Sequence, residues 1–129
     1  MNLCEITDCD SLAISVYDSS TVVIDSSEIT GNGGAGLVVD SSTVVITVTN
    51  LNDNHFGIFA SDSDLSLLRC EISENDSFGI SVIDSSVVQI DSSEISRNAG
   101  NGIQANGDHM AFLGDFNTAQ VRGRSSLSF

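Results

Sequence analysis

Acidic and basic side chains flank an asparagine at three places between residues 53 and 98. The segments are Asp53-Asn54-His55, Glu74-Asn75-Asp76 and Arg97-Asn98. Two neighbouring carboxylates beside a histidine and an arginine could perform acid–base or retaining glycosidase chemistry, or could hold a calcium ion. The candidate catalytic residues are therefore Asp53, Glu74, Asp76, His55 and Arg97. The candidate calcium ligands are Asp53, Glu74 and Asp76.

A second acidic set recurs at wide intervals: Glu5, Glu28, Glu71 and Glu94, with Asn50 in the middle place. Stacked carboxylates repel each other, and a bound cation would relieve that repulsion, but exposed side chains can also separate into water at little cost. The same alternative applies to the first set, because acidic residues are expected at solvated corners. The sequence favours a solvated surface at both places, and calcium is the alternative.

The intervals between these residues are those of an internal repeat. Its apolar centres are Ile6, Ile29, Leu51, Ile72 and Ile95, which lie 23, 22, 21 and 23 residues apart. Three positions after each centre come Cys9, Asn32, Asn54, Asn75 and Asn98. Each period holds short stretches in which apolar and polar residues alternate, separated by the turn-forming residues Asn, Gly, Asp and Ser. The pattern is typical of strands and too short for stable helices.

Such short strands bury an apolar face only when successive repeats stack, about 4.8 Å apart. The sequence therefore predicts an all-β, single-stranded parallel β-helix, a solenoid of about five coils of 21–23 residues with three short strands per coil. Parallel crossovers are right-handed in nearly all proteins, so we expect a right-handed helix. Residues 1–112 are predicted to form the repeats, and residues 113–129 a C-terminal cap or tail.

Two columns of this solenoid carry specific predictions. Ile29, Leu51, Ile72 and Ile95 should form one inward-facing file, and the asparagines a hydrogen-bonded ladder at a corner. The aspartates Asp18, Asp40, Asp62 and Asp84 recur every 22 residues. They are interpreted as Asx turns at a second, Ser-rich corner.

Composition excludes several classes of function. The net charge is −14, with four basic residues and 18 acidic ones, whereas nucleic-acid binding requires clustered Lys or Arg. No apolar run approaches the roughly 20 residues that span a bilayer, and the first residues lack the pattern of a signal peptide. The three cysteines have no metal-ligand spacing and indicate no disulfide framework. We expect neither nucleic acid as a partner nor membrane insertion.

The repeated pattern, Ser-Glu-Ile-Ser-x-Asn-x-x-x-Gly-Ile-x-Val-x-Asp-Ser-Ser-x-Val-x-Ile, resembles that of right-handed parallel β-helix repeat proteins, which include the pectin-lyase-like superfamily. The resemblance covers residues 3 to about 112. Catalytic members of that superfamily are polysaccharide lyases, glycoside hydrolases and uronan epimerases. The resemblance thus implies a carbohydrate-related setting and a secreted or cell-surface location. It supplies no catalytic residues, because Asp108-His109-Met110 departs from the Asp-Pro-His of the epimerases.

Together these observations favour a noncatalytic β-helix module, a structural scaffold or carbohydrate-recognition segment of a larger surface or secreted protein. The alternative is a carbohydrate-active enzyme, or a fragment of one, of the lyase, glycoside hydrolase or epimerase type. No cofactor is expected apart from the calcium alternative. The partners expected are a polysaccharide or the rest of a longer β-helix protein, and the oligomeric state is open.

Overall fold

The computed structural model describes residues 3–100, 102–106, 111–117 and 121–123. In chain order the strands are β1 (Glu5–Thr7), β2 (Ile14–Val16), β3 (Thr21–Asp25), β4 (Glu28–Thr30), β5 (Ala35–Asp40), β6 (Thr43–Thr47), β7 (Asn50–Asn52), β8 (Phe56–Ser61), β9 (Asp64–Leu68), β10 (Glu71–Ser73), β11 (Ile80–Ile83), β12 (Val87–Ser96), β13 (Ile103–Asn106), β14 (Ala111–Asn117) and β15 (Val121–Gly123). The described part of the chain has no helix that could cross a membrane.

The strands pair in parallel, each with its counterpart one repeat along, and form three faces. Face A contains β1, β4, β7, β10 and the ends of β12 and β14. Face B contains β3, β6, β9, the start of β12 and β14. Face C contains β2, β5, β8, β11, β13 and β15. The ten-residue strand β12 runs from face B into face A, so these two faces form one nine-stranded sheet. The predicted all-β parallel solenoid is confirmed.

The interior is filled by aliphatic columns that run along the stack. Ile29, Leu51, Ile72 and Ile95 are at most 1% exposed, and Ile29 is paired with Leu51 and Ile72 with Ile95. The predicted inward-facing file is therefore confirmed. Faces B and C supply equivalent columns, namely Ile24, Ile46, Leu67 and Ile90, and Leu37, Ile58, Ile80 and Ile103.

The chain turns between faces at residues in the left-handed region of backbone conformation. Examples are Asp53 between faces A and C (φ 56°), Ser41 between C and B (φ 50°), and Val48 between B and A (φ 47°). A non-glycine residue adopts this conformation at a cost of about 1–2 kcal/mol, and Asp and Asn tolerate it best. Backbone geometry as well as solvation therefore explains a polar residue such as Asp53 or Ser41 at such a position, whereas Val48 adopts the same conformation without that preference.

Glycine is required where face C begins, because the backbone there lies against the interior. A Cβ on Gly57 would lie 2.6 Å from Cγ2 of Ile72, and one on Gly79 would lie 2.7 Å from Nδ2 of Asn98. These approaches are too close for a side chain. The recurring Gly of the repeat thus makes room for the asparagine column beside it.

Strand pairing continues beyond residue 112. β14 pairs with β12 as far as Asn117, and β15 pairs with β13. These strands extend the same two sheets. The proposed division at residue 112 includes residues outside the described part, so the cap or tail at 113–129 stays a prediction.

Candidate functional site

The asparagine column forms a continuous hydrogen-bonded ladder at the corner between faces A and C. The side chain of Asn32 donates from Nδ2 to Oδ1 of Asn54 at 2.9 Å, and Asn75 donates likewise to Asn98 at 2.8 Å. The backbone N–H of Asn54 donates to Oδ1 of Asn75 at 2.9 Å. Nδ2 of Asn54 also donates to the carbonyl of Ile29 at 2.9 Å. The predicted ladder is confirmed, and each rung satisfies backbone groups of the coil before it.

Cys9 occupies the first place of the same column. Its backbone N–H donates to Oδ1 of Asn32 at 3.0 Å, so the ladder reaches the first coil although Cys9 has no amide side chain. None of the three cysteines forms a disulfide. Burial raises the pKa of the Cys70 thiol, which contacts the carbonyls of Ile46 and Leu68 at 3.4 Å. Cys70 therefore behaves as a buried member of a corner column.

Hydroxyl groups form similar ladders at the other two corners, and these ladders were not predicted from the sequence. Between faces C and B, backbone N–H groups of Ser20, Ser42 and Ser63 each donate to the side-chain oxygen of the serine in the next coil, ending at Ser86. Between faces B and A, the N–H of Ser27 donates to Oγ1 of Thr49, and that of Cys70 to Oγ of Ser93. The signal in the sequence was the recurrence of hydroxyl residues at Ser20, Ser42, Ser63 and Ser86, and at Ser27, Thr49 and Ser93.

The serine ladder replaces most of the role expected for the aspartates. Asp40 is paired with Ser61 and not with Asp62, because the third coil is shorter and shifts the 22-residue spacing. Asp62 does accept a backbone N–H, but from Ser85 in the next coil, at 3.1 Å. The four aspartates therefore do not lie in one column, and serine side chains, not the expected Asx turns, accept most of the backbone N–H groups at this corner.

The structure brings only part of the predicted corner cluster into contact. Asp53, His55, Glu74, Asp76 and Arg97 all lie exposed where faces A and C meet. A guanidinium nitrogen of Arg97 lies 3.3 Å from Oε1 of Glu74, in the preceding coil. Within the described residues, no side-chain hydrogen bond or ion pair joins Asp53 or Asp76 to this pair. The catalytic assignment of these residues stays a prediction.

Arg97 also contacts the glutamate column on face A. Its guanidinium lies 3.7 Å from a carboxylate oxygen of Glu71 and 3.9 Å from one of Glu94. Ser73 donates to the same oxygen of Glu71 at 2.8 Å, and Ser96 donates to Glu94 at 2.6 Å. One arginine thus lies among three carboxylates and reduces the repulsion that would otherwise favour a bound cation.

No group of three or more His, Cys, Asp or Glu side chains with the geometry to hold a metal ion occurs among the described residues. A calcium site requires six to eight oxygen ligands that converge on the ion. Calcium binding by Asp53, Glu74 and Asp76 stays a prediction, and a calcium titration of the chain would test it.

The imidazole ring of His55 lies against an aromatic ring. The rings of His55 and Phe56 are tilted with centroids 4.4 Å apart, and Phe56 stacks on Phe78 at 5.6 Å with planes 13° apart. The stack follows the helix axis, because Phe78 lies one coil beyond Phe56. This feature could have been read from the 22-residue interval between the two phenylalanines.

A polar groove lies along the corner between faces C and B. Its cavity volume is about 270 Å³, and it is lined by Ser19, Ser20, Thr21, Ser41, Ser42, Thr43, Asp62 and Asp64. Thr21, Thr43 and Asp64 occupy successive rungs of face B. Hydroxyls that donate and accept hydrogen bonds, together with carboxylates that accept them, suit a ligand rich in hydroxyl groups.

Comparison with known proteins places the fold. A family model described as "Right handed beta helix region" matches residues 1–120. A comparison with curated proteins gives no match. Among solved structures, the A-module of the mannuronan C-5 epimerase AlgE4 of Azotobacter vinelandii is similar, with a TM-score of 0.60 and 12% identity. The match covers 99% of this chain and 58% of that one, so the chain spans little more than half of the epimerase module.

At this identity the likeness concerns the fold alone. The family match extends over nearly the whole chain and agrees with the strand order, the aliphatic columns and the asparagine ladder. The predicted handedness is thereby confirmed as well. Asp108-His109-Met110, compared above with the epimerase motif, lies outside the described residues. The chain belongs to the family of right-handed β-helix proteins.

Proposed function

We propose that this chain is a noncatalytic β-helix module, acting as a scaffold or carbohydrate-recognition segment of a larger surface or secreted protein. The observation that carries the proposal is the regularity of the corners. Within the described residues, side-chain ladders run from coil to coil at each of them, with Cys70 in place of a hydroxyl residue on one rung, so these corner side chains serve to join one coil to the next.

The candidate acidic corner supports the noncatalytic interpretation. General acid–base catalysis needs groups positioned within hydrogen-bond reach of one reacting atom, in an environment that sets their protonation. Glu74 is 55% exposed and is paired with Arg97, which is itself 60% exposed. Water screens an exposed ion pair of this kind, so the pair does not hold either side chain in the fixed position that catalysis requires.

Recognition would use the groove between faces C and B. Thr21, Thr43 and Asp64 succeed each other there at the coil spacing, so they offer repeated hydrogen-bonding groups to a repeating ligand. The epimerase A-module named above acts, by its title, on a polymeric sugar, and its similar fold supports a carbohydrate setting for this chain.

The proposal is tested by a glycan array and a uronan-degradation assay, each with and without calcium. We expect no product from any polysaccharide. Binding on the array should be unchanged in Asp53→Ala and Asp76→Ala. It should be weakened about three- to tenfold in Thr43→Val and Asp64→Asn, each of which removes a hydrogen-bonding group or charge from the groove.

The control variant is Asp10→Ala, which changes an exposed aspartate at the corresponding corner of the first coil. The proposal would be contradicted if the parent chain and Asp10→Ala formed product. Asp53→Ala and Asp76→Ala would form none in that case. That result would establish the enzyme alternative, and dependence on calcium would extend it to a metal site.

A further inference from the structure

The asparagine ladder contains one Asn-Gly pair. Asn32 precedes Gly33 in the second coil, which holds β4, β5 and β6. The other ladder asparagines precede larger residues, in Asn54-His55, Asn75-Asp76 and Asn98-Ala99. Asn32 is 4% exposed, and its amide is part of the ladder. A Cβ on Gly33 would lie 2.6 Å from the carbonyl oxygen of Asp10, which is too close for a side chain. Packing therefore requires both members of the pair.

An asparagine followed by glycine is prone to deamidation, because no side chain hinders the approach of the next backbone nitrogen to the amide carbon. The backbone nitrogen of Gly33 loses its proton and attacks Cγ of Asn32, which closes a five-membered succinimide. The bond between Cγ and Nδ2 breaks, and Nδ2 takes up a proton and leaves as ammonia. Water then opens the ring. Cleavage at Cγ gives aspartate, and cleavage at the main-chain carbonyl gives isoaspartate.

In the closed ladder, hydrogen bonds to the first coil, which holds β1, β2 and β3, restrain both reacting groups. The N–H of Gly33 donates to the carbonyl of Cys9 at 2.8 Å, and the N–H of Cys9 donates to Oδ1 of Asn32 at 3.0 Å. Nδ2 of Asn32 donates to the carbonyl of Ile6 at 3.3 Å. All three bonds join the first coil to the second, so the reaction requires a local separation of these two coils.

We propose that Asn32 is a site of spontaneous deamidation whose rate is set by opening of the first coil. The product weakens the contact between the first two coils. A carboxylate at position 32 only accepts hydrogen bonds, and it would lie beside two other acceptors, Oδ1 of Asn54 and the carbonyl of Ile6. Isoaspartate also lengthens the main chain. The change is irreversible, and it leaves the ladder from Asn54 to Asn98 with all its own bonds.

The test follows deamidation of the full chain at mildly alkaline pH, folded and in urea, by mass spectrometry of its peptides. In urea, Asn32 should react at least about tenfold faster than the three other ladder asparagines, because only Asn32 precedes glycine. Asn101 and Asn106, which also precede glycine, are positive controls in urea. Folding should slow the reaction at Asn32 about tenfold or more, since only the open form reacts. Equal rates at Asn32 in the two conditions, or no preference for Asn32 in urea, would overturn the inference.

Two alanine variants test whether opening of the first coil sets the rate. Ile6 is paired with Ile29 across the two coils, whereas Val23 is 53% exposed on face B. In the folded state, Ile6→Ala should deamidate at Asn32 about three- to tenfold faster than the parent chain, because the open form is more populated. Val23→Ala should react at the parent rate. The same folded rate in both variants would contradict control by the first coil.

Asn32→Asp tests the effect of the product. The amides of Gly33 and Glu28, which bond to Cys9 and Cys4 in the first coil, should exchange hydrogen about tenfold faster at neutral pH than in the parent chain. The amide of Ala99, in a later coil, should exchange at the parent rate. Unchanged exchange at Gly33 and Glu28 would show that the carboxylate leaves the two coils joined, which would overturn the proposed consequence.

Discussion

At the scale of single residues, hydroxyl groups beside carboxylates set local electrostatics. Oγ1 of Thr47 donates to Oδ1 of Asp25 at 2.7 Å, and Oγ of Ser26 donates to the same oxygen at 3.1 Å. The bond from Thr47, and after it the one from Ser26, lowers the pKa of Asp25 below its ordinary value. The ionised form of Asp25 is therefore favoured in the folded chain.

Replacing Thr47 by valine should reduce the dependence of stability on acid pH. A carboxyl whose pKa is lower in the folded state stabilises the fold above its unfolded pKa of about 3.9, and this contribution is lost as the pH falls through the folded pKa. In Thr47→Val the pKa of Asp25 should rise toward its ordinary value. The change is measured by carbon NMR titration of the carboxyl group and by urea unfolding between about pH 6 and pH 3.

Thr43→Val is the matched control, because Thr43 lies on the same strand and its side chain does not contact Asp25 in the described structure. Identical titration curves of Asp25 in Thr47→Val and Thr43→Val would contradict the assigned role of the Thr47 hydroxyl.

At the scale of elements, the corners are where this fold is specified most strictly. Each strand is short, and each turn buries backbone groups that only the neighbouring coil can satisfy. Asn54 is fully buried and bonds both to the carbonyl of Ile29 and to the N–H and side chain of Asn32. Loss of its amide would leave partners unsatisfied in two places.

Asn54→Ala should therefore lower the free energy of unfolding by about 3 kcal/mol, since each buried unsatisfied group costs about 1–3 kcal/mol. Asn50→Ala, which changes an exposed asparagine in the neighbouring strand β7, should change it by less than about 0.5 kcal/mol. Urea unfolding measures both. Equal effects of the two substitutions would show that the ladder contributes no specific stability.

The asparagine ladder could be predicted because recurring Asn residues stand out in this sequence, and the aliphatic file because its members recur at the centre of similar three-residue segments. The serine ladders could not be distinguished in the same way, since Ser fills so many positions that recurrence resembles composition. Asp40 and Asp62 gave a false column, because a coil one residue shorter displaces everything after it. Register is set by the core, and a spacing in sequence is only an approximation to it.

The sequence could predict which residues of the candidate site lie near one another, but not which side chains are in contact. Stacking explains why Arg97 lies beside Glu74, one coil apart. The reach of Arg97 to Glu71 and Glu94 depends on the conformation of a long side chain, and the ring contact of His55 depends on the residue that follows it. Neither follows from the repeat period.

At the scale of the whole molecule, a net charge of −14 destabilises the folded chain through self-repulsion. Arg97 offsets it locally among three glutamates. Because the pairs are exposed, they should contribute less than about 1 kcal/mol in total at moderate salt.

Salt should therefore raise the unfolding temperature of the parent chain. It should also reduce the difference in unfolding temperature between the parent chain and Arg97→Ala. The Debye length falls from about 30 Å at 0.01 M salt to about 8 Å at 0.15 M, so both the repulsion and the ion pairs are screened. Thermal unfolding at these two concentrations measures the effect. Arg69→Ala is the control, because Arg69 and Arg97 have similar left-handed backbones, with φ of 54° and 52°. The same salt dependence in both variants would refute the role given to Arg97.

The variable coil length is accommodated at the corners and never within the aliphatic columns. The turn through Asp84, Ser85 and Ser86 holds one residue more than the turn through Asp62 and Ser63, yet the flanking strands keep their register. Each coil touches only the coil before and the coil after it. A gene encoding such a chain can therefore gain or lose one complete period by duplication or deletion and still encode a packed interior, which gives this architecture an unusually simple route to proteins of different lengths.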